Sequence, residues 1–578
     1  MRKDFKKAKA YHPLKEQGES RSFVIGSWDV ETRGLNGDLL LASWYIENMP
    51  AAQVISGTPE EIVIGIINVF RSYPGIRWYA HNAQYDWRYI IDYLLDNYSE
   101  TIEFFMRTEQ DVFMIKTGEF ELVDSFALWG QSLKKFAEVF LPELPKLEID
   151  IENFDPNNKD HLDYAKRDAE ILVKCLIKFD EVIYSLFGTH IGLTIAGTAV
   201  RAWRTDINES YFKPEIIDAF VRTAYFGGAV LGRFGIKFKN LITYDINSSY
   251  PFVMREYGVP YGSYAKSHYV VPGILGIYTV KVRTPEELIF PILPKRTKEG
   301  GIIWPSGTFI TTVTNLEIEF AISKGYEVLE VYEGLIWNEV INPFVEFVTY
   351  CEESRKKYKG TPLEIAIKLI QNSVYGKFGT REERSRLFIP KEDEDYINAT
   401  PWGVDEKLWI KKEIDHDILA LPQWAVFITA NARLHLLKTI YDHGVENVIY
   451  CDTDSITTSI PFPDKWLGDA YGKFKEEKRW EEFLAIAPKV YSGKDAKGDY
   501  KGAVKGIPSR TMNSARYKEL LDEGFISSSI SIIPSLKQVI KGNREVKIME
   551  RRSTNPDNAK SWKKNKDGVM RPVKLEEE

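Results

Sequence analysis

Val448-Ile-Tyr-Cys-Asp-Thr-Asp-Ser-Ile-Thr-Thr-Ser-Ile460 is β-rich on both sides of a polar middle. Val, Ile, Tyr and Thr favour extended backbone, so the stretch reads as two strands meeting at a tight turn near Asp452-Thr453-Asp454. Side chains alternate along a strand, which puts Asp452 and Asp454 on one side while the backbone stays extended. Two carboxylates that close repel, and one keeps its proton unless a cation neutralises the pair. A hard divalent ion with oxygen ligands, such as Mg²⁺, does so. Asp-x-Asp is also a common solvated turn. The weight of this stretch therefore comes from what surrounds it in the chain.

Upstream, Leu241 to Ile246 reads as a strand leading into Asp245-Ile-Asn-Ser-Ser-Tyr-Pro251, where Pro251 ends regular pairing. Asp245 is a third acid for the same centre, and the Tyr250 ring suits the floor of a nucleotide pocket. Before it, Tyr225-Phe-Gly-Gly228 lets the backbone approach another chain closely. Residues 253–345 read as a β-containing insert, with turn signals at Pro272-Gly273 and Pro305 to Gly307. Glu346 to Lys359 reads as a helix broken by Gly360, and Pro362 suits the first turn of another that runs to about Phe378. Leu363, Ile367, Ile370 and Val374 form its apolar face. Lys368, Asn372 and Tyr375 form a polar one. An ordinary amphipathic helix has two such faces, but a cation, an amide and a ring also suit a triphosphate, a sugar and a base. Lys356 and Lys357 add charge nearby. Arg381 to Leu421 is charged and irregular and reads as a second insert. Ala425 to Ile440 is helical, with Thr429 and Arg433 four apart, and Lys489-Val-Tyr491 follows in a β-like context.

The first ~185 residues alternate strands and helices as an α/β domain does. Phe23 to Asp29 pairs with Leu39 to Ile46 as a hairpin, and Asp29 and Glu31 stand two apart at its end. Asp86 falls in the first turn of a helix, where complementing the helix dipole is the ordinary role. On the helix from Asp163 to Phe179, Tyr164 and Asp168 share an otherwise apolar stripe with Ile171 and Cys175. A buried Asp there needs a partner or a metal. Four carboxylates converging on two hard cations is what metal-assisted phosphodiester cleavage requires.

At 578 residues the chain holds more than one domain, and 44% hydrophobic with 13% aromatic residues points to sizeable folded cores. No apolar run reaches membrane-spanning length. Met1 to Lys15 is basic without the apolar run of a signal peptide. Three scattered cysteines give neither a disulfide framework nor zinc spacing and fit a reducing compartment. A net charge of −7 does not advertise a nucleic-acid binder, yet clustering matters more than the total. The segment Lys541 to Lys574 is visibly basic, which also suits a solvated tail.

Together these motifs resemble the family B DNA polymerases, and within them the protein-primed, phi29-like type. Tyr450 to Ser455, Asp245 to Pro251 and Lys368 to Gly376 are similar to the family's polymerase motifs. Asp29-x-Glu31, Asn82-x₂-Tyr85-Asp86 and Tyr164-x₃-Asp168 resemble its exonuclease motifs. The resemblance implies an α/β and α+β multidomain fold: an RNase H-like 3′–5′ exonuclease domain (1–185), then a right-hand polymerase domain. The latter comprises palm (186–252 and 422–506), terminal-protein-region inserts (253–345 and 381–421), fingers (346–380) and thumb (507–578).

By resemblance, Asp245 and Asp454 carry two Mg²⁺ ions, Mn²⁺ being a substitute, and Asp452 supports them. Lys368 and Lys356 hold phosphates, Tyr250 is the steric gate, and Asn372 and Tyr375 line the nucleotide pocket. Lys489 and Tyr491 hold the primer end. Tyr225, Gly227, Gly228, Thr429 and Arg433 contact DNA. Asp29, Glu31, Asp86 and Asp168 bind the exonuclease metals, with Tyr164 and Lys146 catalytic. Asn82, Tyr85 and either Ser132-Leu133 or Ser125-Phe126 bind the frayed strand. The implied partners are template-primer DNA, dNTPs, a terminal protein and a single-stranded-DNA-binding protein. The implied setting is a monomer, away from membranes, in the cytoplasm of a host cell. One departure stands out: Ser249 replaces the leucine that usually precedes the motif's tyrosine.

Overall fold

The computed structural model describes residues 21–99, 101–108, 111–203, 217–286, 288–381, 383–390, 392–402, 408–414, 420–553, 562–564 and 570–576. The basic N-terminal segment, Lys560 and Lys566 lie outside the described residues.

The chain opens with β1 (Val24–Thr32), β2 (Leu39–Ile46), β3 (Gln53–Ser56), α1 (Pro59–Ser72), β4 (Ile76–Ala80) and α2 (Gln84–Asn97). It continues through β5 (Glu103–Thr108), β6 (Asp111–Lys116), β7 (Glu121–Asp124), α3 (Leu133–Phe140) and α4 (Lys159–Phe187). β1 pairs parallel to β4 and antiparallel to β2, the expected hairpin. Strand alternation sends Trp28 and Trp78 into a core with α1 and α2, while Ile25 and Tyr79 pack on the α3–α4 side. Ser27, two residues before Asp29, donates to the Ala169 carbonyl of α4 at 2.6 Å, so the strand's acidic end faces the helix that carries Asp168.

After α5 (Ile195–Trp203) and α6 (Asp218–Thr223) come β8 (Val230–Gly232), β9 (Lys237–Ile246) and α7 (Ser249–Glu256). Next are β10 (Val259–Ser267), β11 (Leu275–Arg283), β12 (Lys295–Arg296), β13 (Ile302–Ile303), β14 (Ser306–Thr314), α8 (Asn315–Ser323) and β15 (Glu327–Ile341), most of whose strands form a sheet of their own. α9 (Val345–Lys357) and α10 (Pro362–Phe378) make a helical pair. Residues 383–414, read from sequence as charged and irregular, instead hold β16 (Glu383–Phe388), β17 (Ala399–Pro401) and β18 (Trp409–Ile414). β16 pairs with β5 and extends the first sheet to ten strands. Leu387, Trp402, Leu408 and Ile410, dispersed among charges in the sequence, are all buried in the core beneath α1 and α2.

α11 (Pro422–His443), β19 (Val448–Asp452), β20 (Ser455–Thr458), β21 (Phe474–Ala487), β22 (Val490–Asp495) and β23 (Tyr500–Val504) complete a seven-stranded sheet in the order β23-β22-β21-β9-β20-β19-β8. It places Asp245 at the end of β9 beside the β19–β20 hairpin. The remaining elements are α12 (Ser514–Glu523), β24 (Ser527–Ile532), α13 (Leu536–Ile540), β25 (Lys547–Arg552), β26 (Trp562–Lys564), β27 (Met570–Pro572) and β28 (Lys574–Glu576).

This last segment grips the start of the chain. Leu536 and Val539 are fully buried in the α1–α2 core, Arg544 pairs with Asp92, and Val546 and Asn36 exchange hydrogen bonds of 2.6 and 2.9 Å. Leu536→Ala is expected to cost about 2–5 kcal/mol of this docking. Hydrogen exchange checks it: protection should fall across 536–546 while that of 448–458 stays unchanged.

Candidate functional site

Two carboxylate centres stand in different sheets. In the first, β19 and β20 close through the two residues Thr453 and Asp454, with Asp452 opposite Ser455. Thr453 adopts φ +60°. The backbone is therefore not extended through the turn, and the two aspartates are placed by the loop rather than by strand alternation. Thr453 N–H donates to the Ala229 carbonyl at 2.8 Å, and a Cβ on Gly228 would meet the Thr453 side chain at 2.6 Å. Only glycine leaves room there. Ser455 pairs with Asp245, and Ile246 N–H donates to the Asp454 carbonyl at 2.8 Å, which locks the two acids' backbones together.

Burial, then Asp454 and Glu477, push Asp245 up to about 7, against an opposing pull from Lys368. Burial and Asp452 likewise raise Asp454. Asp452 itself is engaged: Lys489 Nζ donates to its Oδ1 at 2.8 Å, and Thr453 Oγ1 to the same atom at 2.9 Å. Lys489, at φ +63°, sits in the turn between β21 and β22, and its N–H donates to Tyr450 Oη at 3.1 Å. The Tyr491 ring packs on Tyr450 with centroids 5.4 Å apart. Tyr250 and Tyr375 stack face to face, 4.3 Å apart and 7° from parallel. Lys368 and Asn372, at helical spacing on the same exposed side of α10, are free to meet a ligand beside that stack.

Other expected contacts fall elsewhere. Lys356 donates to Glu352 one helical turn back on α9 at 3.0 Å, an ordinary i,i+4 pair. Thr429 and Arg433 are buried, not presented to a strand of DNA. Thr429 donates to carbonyls of its own helix. Arg433, 1% exposed, pairs with Glu317 of α8 and donates to the carbonyls of Phe226 and Gly227 at 2.7 and 3.0 Å. Arg296 donates to the Tyr225 carbonyl at 2.6 Å. The two arginines thus commit three successive carbonyls of the Tyr225–Gly228 loop to the protein. Tyr225 lies against Gly379, just past α10.

In the second centre, Asp29, Glu31 and Asp168 bring one carboxylate oxygen each to within 4.8 Å of one another. Burial and Asp168 push Asp29 up to about 7, and Glu31 and Asp168 are also raised, chiefly by burial. Lys146 pairs with Asp168 and donates to Tyr164 Oη at 3.2 Å. Asp168 Oδ1 is buried without a hydrogen-bond partner among the described residues. A hard divalent cation fits this all-oxygen set and the unspent Oδ1. Asp86, at the start of α2, meets the trio at Asp29, with which it shares a side-chain hydrogen bond; its Oδ1 also accepts from Val30 N–H at 3.2 Å, and burial and Asp29 raise its proton affinity.

Around this centre Asn82, at φ +62°, donates its N–H to Asp124 Oδ1 at 2.9 Å. Tyr85 Oη meets Thr32 Oγ1 at 2.6 Å. Ser125 is buried and bonded to His81 and the Ala80 carbonyl, whereas Phe126 is exposed. Ser132 caps α3 from an exposed position, and Leu133 is buried beneath it. The exposed faces on offer to a ligand are therefore those of Phe126 and Ser132.

The family described as DNA polymerase type B, organellar and viral, matches residues 157–460, more than half of the chain. The chain belongs to that family. Among its relatives are a probable DNA polymerase of Neurospora intermedia, 30% identical over 58% of this chain and 38% of its own, and a DNA polymerase of Kluyveromyces lactis, 27% identical over 64% and 42%. The chain thus matches less than half the length of those two fungal relatives. The DNA polymerase of Bacillus phage B103 is 23% identical over 72% of this chain and 77% of its own. Among solved structures, phi29 DNA polymerase with primer-template DNA superposes with a TM-score of 0.73 at 18% identity, over 92% of this chain and all of the other. The fold is that of phi29 DNA polymerase.

Within that fold, two residues had no signal in the sequence. Glu477 reaches the Asp245–Asp454 centre because β21 bulges between Glu476 and Lys478, and in the sequence it is one charge in a charged run. Thr32, at the end of β1, touches Tyr85 of α2.

A carboxylate whose folded pKa is raised stabilises the fold fully below its unfolded value, and that contribution is lost as pH rises through the folded value. For Asp29 and Asp245 that window runs from about 4 to about 7. In metal-free buffer, stability should fall across it, and a divalent cation should restore it by displacing protons. Calorimetry should find tighter cation binding at pH 8 than at pH 6, with proton release. Separately, Glu317→Ala strands the Arg433 guanidinium and is expected to cost about 3–5 kcal/mol, read by chemical denaturation.

Proposed function

We propose that the chain is a DNA-directed DNA polymerase with a 3′–5′ proofreading exonuclease that replicates a viral or plasmid genome. One observation carries this reading: two separate clusters of carboxylates gathered out of water, one beside an exposed Lys368 and a tyrosine stack, the other beside a Lys146–Tyr164 pair. In synthesis, a primer 3′-hydroxyl attacks the α-phosphate of a dNTP and pyrophosphate leaves. Lys368 offsets triphosphate charge, and the Tyr250–Tyr375 stack forms the floor on which base and sugar rest, with Tyr250 excluding a ribose 2′-hydroxyl. Lys489 and Tyr491 hold the primer end against Asp452. In proofreading, water attacks the terminal phosphodiester, with Tyr164 and Lys146 orienting it, while Tyr85 and Asn82 hold the frayed strand. Mg²⁺ held by Asp245 and Asp454, and by Asp29, Glu31 and Asp168, would supply Lewis-acid stabilisation of charge on the phosphoryl oxygens in each site.

The finer reading is protein-primed, strand-displacing synthesis by a monomer in the host cytoplasm, with a terminal protein and a single-stranded-DNA-binding protein as partners. The two inserts support it: the strands of 253–345 build a separate sheet that β28 of the last segment joins, and those of 383–414 extend the first sheet, where Lys537 of the last segment lies over Trp402. Such an enclosure around a duplex would favour long, uninterrupted synthesis.

Asp454→Asn should lower primer extension by about 10³-fold or more and leave 3′–5′ hydrolysis of a single strand intact. Asp168→Ala should do the reverse. Loss of both activities in either variant would contradict two separate sites. With a primed single-stranded circle, dNTPs and Mg²⁺ alone, products longer than the circle are expected. Products stopping at one circle would favour a polymerase without autonomous strand displacement.

A further inference from the structure

Beneath the tyrosine stack lies a polar joint that the proposed reaction does not yet use. Ser248, three residues past Asp245, holds φ +49°, a left-handed conformation that L side chains avoid. One side of this turn is fixed by backbone: Asn247 N–H donates to the Lys473 carbonyl, and Gly472 N–H to the Asn247 carbonyl, both at 2.8 Å. The other side is fixed by one guanidinium. Arg355, near the end of α9, donates through Nη1 to Ser248 Oγ at 2.8 Å and to Tyr471 Oη at 3.2 Å, while Nη2 lies 3.6 Å from Glu364 of α10. Tyr471 Oη in turn donates to Gln371 Oε1 on α10 at 2.9 Å. Gln371 lies between Lys368 and Asn372.

We propose that Arg355 is a positioning residue for the incoming nucleotide. It sets α10, with Lys368, Asn372 and Tyr375, against the turn that carries Tyr250. The acids need no such help, because Asp245 and Asp454 are joined by backbone pairing. The nucleotide seat does need it, because Tyr250 and Tyr375 come from different elements and no backbone hydrogen bond joins those two elements among the described residues. The joint is polar throughout. Ser249 Oγ, Gln371 Nε2 and Arg355 Nε are buried at the same meeting of α7, α9 and α10, each without a partner among the described residues. A buried polar group so placed is costly. The polar side chains at this junction are therefore better explained by alignment than by packing, and Ser249 belongs with them: a serine in place of a leucine suits a polar floor. A lysine has one point charge where Arg355 spreads its contacts over Ser248, Tyr471 and Glu364.

This inference rests on the chain being a DNA polymerase. Single-nucleotide incorporation on a primed template, with dNTP titrated and single-strand hydrolysis measured in parallel, tests it. Arg355→Ala should raise the KM for dNTP about tenfold, with kcat within about threefold and hydrolysis unchanged, since an unaligned seat weakens binding more than chemistry. Arg355→Lys and Tyr471→Phe should fall between it and the wild type, and their combination should be less than additive. A wild-type KM in Arg355→Ala would overturn the inference alone. If that variant does not fold, wild-type KM values in both Arg355→Lys and Tyr471→Phe would overturn it, and raised values would uphold it. A wild-type chain that incorporates no nucleotide would overturn the polymerase reading and this inference together.

Discussion

Carboxylates held together out of water repel, and a fold that gathers them must hold them by something stronger than their own preferences. Here that something is backbone pairing. Asp245 and Asp454 are tied through the β9–β20 register and the Ile246–Asp454 hydrogen bond, and Asp29 and Glu31 sit on one strand facing α4. Burial, and after it the repulsion that remains, appears as raised proton affinity in both centres. A group of acids that prefers its protons near neutrality is one that a hard cation stabilises by taking their place. The same tension accounts for the cations of the chain itself: Lys146 on Asp168, Lys489 on Asp452 and Lys368 beside Asp245.

Rigid placement of the acids leaves the softer parts to side-chain joints. The Tyr225–Gly228 loop is held by Arg296 and Arg433, both anchored in or paired with the sheet-and-helix region 253–345. That region thereby borders the loop beside Thr453. The last segment docks on α2, the helix whose first turn holds Tyr85 and Asp86, so the end of the chain packs on the element that borders the Asp29–Glu31–Asp168 centre. These links tie the elements into one body without adding chemistry of their own.

Much of this was legible in the sequence where a pattern has one physical meaning. β-branched residues around Asp452-Thr-Asp454 read as two strands and a turn, which β19 and β20 form, and the stripe through Tyr164 and Asp168, where an exposed edge suited Asp168 equally well, is a buried helix face. The order of motifs then identified the family. Legibility failed where meaning depends on a distant partner. For Thr429 and Arg433 the resemblance implies DNA contacts, and nothing local announces that Glu317 and the Phe226 and Gly227 carbonyls satisfy the arginine inside the core. Glu477 depends on a bulge, and a one-residue slip in register has no compositional signature. The strands in 383–414 were masked by charges whose apolar neighbours pack on another part of the chain.

The central claim is that both centres are cation sites built from this chain's own carboxylates. Anomalous diffraction from crystals grown with Mn²⁺ tests it most directly. The account predicts manganese density at Asp245 and Asp454 and, separately, at Asp29, Glu31 and Asp168. Density at neither pair of positions, or ions held elsewhere while these acids remain unliganded, would contradict it.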